Sequence, residues 1–114
     1  MLAENFPQDL TAGENAPTAY LVAGTGLLRT LLQGLRMAGL RVPQDRSVIG
    51  IDTGDVSALT TPETTSIVRD AADIGRTAAE FMLRRLATPD MPQQTALLAG
   101  EILLKGSCAA PRRG

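Results

Sequence analysis

The chain has 114 residues, enough for one domain or part of one, and folding a chain of this size buries roughly two-thirds of its unfolded surface. Its 44% hydrophobic and 20% charged residues are a globular composition, and a net charge of −1 leaves no broad basic field for a phosphate backbone. With no His and a single Cys, Cys108, the parts for a zinc site, a Ser-His or Cys-His catalytic pair, or an internal disulfide are missing.

The opening "MLAENFPQDL" has neither a basic region nor an apolar core, and no later run is long enough to span a bilayer. A cytoplasmic protein without membrane attachment is expected. Residues 1–16 carry Pro7 and Gly13 without hydrophobic periodicity and read as a flexible lead-in. "TAYLVA" (18–23) is a short apolar run suited to a buried strand, and it enters Gly24-Thr25-Gly26. That turn is not a nucleotide fingerprint: the third glycine position is Arg29, and no Gly-Lys-Ser/Thr ending exists. It reads as a strand-to-helix turn, with Thr25 either capping the helix or touching a ligand.

Leu28, Leu31, Leu32, Leu35 and Ala38 then recur at helical spacing, opposite Arg29, Gln33 and Arg36. Gly39 can end this helix in the left-handed conformation, with Pro43 soon after. "SVIGI" (47–51) is a second buried strand stopping at Asp52, followed by the turn-rich loop "DTGDVSALTTPET". "TSIV" (65–68) reads as a third strand. Asp70 caps a second helix over about 71–86, with Ile74, Ala78, Phe81, Met82 and Leu86 as its inward stripe, and Arg84-Arg85 form a solvated C-terminus. "TALLAGEILLKGS" supplies one or two closing strands, and residues 109–114 form a tail.

Strands and helices alternating with short connections predict an α/β fold with parallel strands and flanking helices. In such sheets ligands sit beyond the carboxyl ends of the strands. Gly24-Thr25, Asp52 and Arg69 all fall at such ends, which makes them the candidate binding residues.

From Pro17 to about Gly106, and with a domain spanning 17–108, the chain resembles the C-terminal part of the effector-binding domain of LacI/GalR-type transcriptional regulators. The residues that carry the resemblance are "PTAYLVA", "GLRMAGLRVPQDRSVIGID", "TPETTSI", "DIGRTAAEFMLRRL" and "EILLKGSCA". It implies a partial periplasmic-binding-protein-like type I fold and a non-enzymatic sensor of a small sugar-like effector. No cofactor is implied. It also implies a homodimer through a helix that here offers Leu27, Leu28 and Leu31, with Arg29 where a leucine is common. DNA binding would come from a helix-turn-helix head that nothing before residue 17 resembles. The chain would cross between two lobes near residues 53–64 and 87–95, placing "TSIV" and the second helix in the lobe opposite the first two strands.

The departures from the family pattern concern the site. Gly24-Thr25 stand where Asn-Asp is usual, Asp52 is kept while Thr53 replaces a second acid or amide, and Arg69 stands where a Gln often reaches the effector. A guanidinium in that place favours an anionic effector, such as a sugar acid or sugar phosphate. Two alternatives remain at this point. A sugar-binding receptor of the same fold would lack the DNA-binding head. A homodimeric aspartic protease would use Asp52-Thr53-Gly54, with one carboxylate from each subunit sharing a proton; its largely all-strand fold conflicts with two long helical stretches.

Overall fold

A computed structural model describes Thr11 and residues 14–111. The expected lead-in falls largely outside the described residues, as do the last three of the tail. Four strands, β1 (Ala19–Ala23), β2 (Ser47–Ile51), β3 (Thr65–Val68) and β4 (Glu101–Leu103), form one sheet in the order β1-β2-β3-β4. The helices are α1 (Thr25–Met37), α2 (Gly54–Ser57) and α3 (Ala71–Ala87). β1 pairs parallel with β2, and β2 with β3, in a register that sets Val22 beside Gly50 and Gly50 beside Ser66. The chain divides into two compact units, residues 1–68 with 102–114, and residues 69–101.

In the first unit the leucine stripe of α1 covers one face of the sheet. Leu28, Leu31 and Leu35 form the buried core with Val48 and Val56, and Tyr20, Val22, Leu32, Leu40 and Val42 pack against it. The absence of Trp leaves this an aliphatic core, held by close packing of branched side chains. Gly39 ends α1 as expected, at φ +73°. Its N–H bonds the Arg36 carbonyl and that of Leu40 bonds the Leu35 carbonyl, the paired closure that left-handed glycine allows.

Buried hydroxyls lead into β3: Thr64 just before it and Thr65 and Ser66 at its start are all buried. Buried hydroxyls must be bonded, and the closing segment supplies partners. Ser107 Oγ accepts from the Thr65 N–H and donates to the Val48 carbonyl, and Lys105 N–H donates to Thr65 Oγ1. Ser107 thereby joins the starts of β2 and β3.

Three expectations are corrected here. "TSIV" lies in the same sheet as the first two strands, because β3 takes its parallel ladder from β2; the change of unit comes at Arg69 and again at Ile102. The loop after Asp52 contains the short helix α2, whose Thr53 hydroxyl bonds Ser57 at 2.9 Å. The stripe on α3 is not buried: no residue of that helix is, and Met82 and Leu86 are exposed. Periodicity marks which face of α3 is apolar, but its own unit packs nothing over that face.

In the second unit, Asp70 caps α3 as expected, its carboxylate accepting from the Asp73 N–H. Arg85 is more than a solvated charge. Its guanidinium donates to the carbonyls of Pro89, Met91 and Pro92, tying the following turn to the helix end.

Candidate functional site

The carboxyl ends of β1, β2 and β3 are held level by main-chain hydrogen bonds that continue past the strands. Gly24 N–H donates to the Ile51 carbonyl and Asp52 N–H to the Ile67 carbonyl, both at 2.9 Å. These two bonds bring Gly24, Thr25 and Asp52 together on one edge of the first unit. Arg69 follows Val68, the last residue of β3, and opens the second unit.

Asp52 is exposed and has φ +56°, the one non-glycine with positive φ among the described residues. Asp tolerates the left-handed region better than most residues, yet the conformation still costs energy and clusters at binding sites. The reason is visible in the following residues. The chain reverses at Asp52 so that Thr53 folds back beneath the sheet end, fully buried, against Gly50. A Cβ at Gly50 would come within 2.9 Å of Thr53 Cβ, so this strand position requires glycine. The reversal leaves the Asp52 carboxylate outside while Thr53 is consumed by packing.

Gly24 adopts φ 96°, ψ 147°, backbone open to glycine almost alone. A Cβ there would meet open space, so conformation and not crowding selects the residue. Thr25 is the first residue of α1 and not its cap; Gly24 holds the cap position and has no side chain with which to bond the first turn. The N–H groups of Thr25, Gly26 and Leu27 lie at the positive end of the helix dipole.

The expected dimer residues divide. Leu28 and Leu31 are 0% and 2% exposed, since they pack into the core, and have no surface to offer a second chain. Leu27 is exposed, next to the open edge strand β1 with its exposed Leu21. The sequence marks the apolar stripe of α1 but not which of its flanks the sheet covers.

The protease alternative fails on this geometry. Asp52-Thr53-Gly54 lies between a parallel strand and a helix in a fold with helices of 13 and 17 residues, and its Thr hydroxyl is spent on Ser57. Among the described residues no cluster could hold a metal ion, and no helix is long and apolar enough to cross a membrane.

A family of periplasmic binding protein-like domains matches residues 1–108. The ribose operon repressor of Haemophilus influenzae is 28% identical over 100 residues, covering 88% of this chain and 30% of the repressor. The chain thus spans about a third of that relative's length. A LacI family regulator from Enterococcus faecalis, solved with bound ribose, superposes with a TM-score of 0.74 at 25% identity, covering 98% of this chain and 40% of its own. A dimeric lac repressor with a C-terminal deletion superposes with a TM-score of 0.68 at 29% identity, over 83% of this chain and 35% of that one. Parallel topology, the turn at Asp52 and these likenesses agree: the chain belongs to the periplasmic binding protein-like family, as the C-terminal part of an effector-binding domain of the LacI/GalR type.

Proposed function

We propose that the protein carrying this chain is a cytoplasmic, non-enzymatic transcriptional regulator that holds a small sugar-like effector against the carboxyl ends of β1, β2 and β3. The observation that carries the reading is the Asp52 carboxylate, displayed by a left-handed backbone at the carboxyl end of a parallel sheet. A carboxylate in such a place accepts two hydrogen bonds at once from adjacent sugar hydroxyls. The ribose-bound relative supports the effector class. Operator binding belongs to a helix-turn-helix head outside this chain, and effector closure shifts its affinity through coupling between two sites.

The residues of this chain further favour an anionic effector. Arg69 brings a permanent fork of donors to the end of β3, and Gly24 leaves the first N–H groups of α1 uncapped beside Asp52. Each of these features suits an anion better than a neutral hydroxyl. Calorimetric titration of the full-length regulator with ribose and ribose 5-phosphate tests the preference. We expect tighter binding of the phosphate, lost at least tenfold in Arg69→Gln; tighter binding of ribose by the wild type would refute it. A discrete operator complex formed by the full-length protein in a gel shift separates the regulator from a receptor without a DNA-binding head.

A further inference from the structure

We propose that the buried hydroxyl pair Thr53–Ser57 positions the effector-binding carboxylate, fixing the direction in which Asp52 presents it. The inference rests on the reading of Asp52 as an effector residue. Thr53 precedes α2 and Ser57 closes it, and both are buried. Thr53 holds the cap position, where a hydroxyl ordinarily accepts from an N–H of the first turn, yet it makes no such bond. Its Oγ1 lies instead 2.9 Å from Ser57 Oγ, one turn on. The Ser57 N–H meanwhile donates to the Thr53 carbonyl at 2.7 Å, so main chain and side chains join the same two residues. Ser57 is held from its other side as well. Its carbonyl accepts from the Thr60 hydroxyl at 2.8 Å and from the Thr64 N–H at 3.1 Å. The Thr60 and Thr64 hydroxyls bond each other at 2.8 Å, which ties the loop to the entry of β3.

A hydroxyl pair locks direction where apolar packing does not. Hydrogen bonds weaken steeply when misaligned, whereas burial of apolar surface is non-directional. Asp52, the residue immediately before Thr53, needs such a lock. Its φ of +56° is costly without glycine and persists only where the surroundings over-determine it. On one side the backbone is fixed by the Asp52 N–H on the Ile67 carbonyl at 2.9 Å. On the other it is fixed by Thr53, whose hydroxyl is anchored on Ser57. Without that anchor the turn relaxes toward negative φ, and the carboxylate turns with it. Thr53 and Ser57 are therefore positioning residues, acting on the effector through Asp52.

Removing the hydroxyl without changing the shape tests this. Thr53→Val keeps the outline of the buried side chain and loses only its hydroxyl, Thr53→Ser keeps the hydroxyl, and Ser57→Ala breaks the same bond from its other end. In the 114-residue chain the ligand-free readout is the intraresidue amide-to-Hα cross-peak of Asp52 in NMR spectra, which is strong at positive φ and weak at negative φ. We expect it unchanged in Thr53→Ser and reduced by at least half in Thr53→Val and in Ser57→Ala. In the full-length regulator, calorimetric titration with ribose 5-phosphate should show binding at least fivefold weaker for Thr53→Val, with Thr53→Ser within twofold of wild type. A pair that serves stability alone would lower the urea midpoint of Thr53→Val and leave the cross-peak and the affinity unchanged, which would overturn the proposal. So would a Thr53→Ser variant as impaired as Thr53→Val. Should Thr53→Val fail to fold, an unchanged Asp52 cross-peak in Ser57→Ala overturns the proposal and a halved one supports it. A cross-peak that follows the hydroxyl in a protein that binds neither ribose nor its phosphate would support the positioning and count against the effector reading.

Discussion

Two glycines and one aspartate decide the geometry of the sheet's carboxyl edge. The family resemblance alone suggests that Asn at position 24 would restore a lost effector contact, but the backbone there contradicts that simple repair. At φ 96°, ψ 147°, any residue with a Cβ is strained. We expect Gly24→Asn to destabilise the chain by about 1–3 kcal/mol, the usual cost of a sparsely populated backbone region, measured by urea unfolding; a variant as stable as wild type would show that the turn relaxes. Gly50→Ala puts a methyl against the buried Thr53 side chain, and an over-packed core site typically costs about 1–3 kcal/mol. Thr53→Ser removes one of the atoms in the collision and should recover part of that loss in the double variant. Sequence reading found Asp52 because an acid ending an apolar strand stands out. It could not find the reversal that displays Asp52 and buries Thr53, because that reversal depends on the Gly50–Thr53 contact across the strand end.

At the scale of elements, patterns of local origin were legible and patterns set by neighbours were not. The strand runs, the Asp70 cap and the Gly39 stop follow from residues adjacent in sequence, and the structure reproduces them. Which flank of α1 is core depends on where the sheet lies, so Leu28 and Leu31 could not be told from a docking surface by spacing alone. The assignment of β3 failed for a related reason. Four residues rich in hydroxyls say nothing of their pairing, which is fixed by the β2 ladder and by Ser107, 42 residues away from Thr65. Ser107→Ala is the corresponding test. It strands the buried Thr65 N–H, and an unsatisfied buried donor costs about 1–3 kcal/mol, to be read from the shift in the urea midpoint at unchanged slope. Asp70→Ala is expected to cost about 1 kcal/mol of α3 stability, seen as lost helical circular dichroism; no change would mean that Asp70 caps nothing in solution.

At the scale of the molecule, stability is concentrated in the first unit. Among the described residues the buried apolar core belongs to the first unit, whereas α3 buries no residue and presents an apolar stripe to solvent. Local opening follows buried contacts, so amide exchange in this chain should be slow in β1, β2 and α1 and fast along α3. Uniform protection of both units would contradict that division. The first unit also carries the edge on which the functional account depends, and Asp52 is its centre. The most direct measurement is calorimetric titration of the full-length regulator and its Asp52→Ala variant with pentoses, hexoses and their phosphates. The account predicts saturable binding of at least one of these sugars and at least a tenfold weaker Kd in the variant, about 1.4 kcal/mol; equal affinity in the two proteins, or no binding of any of them by the wild type, would contradict it.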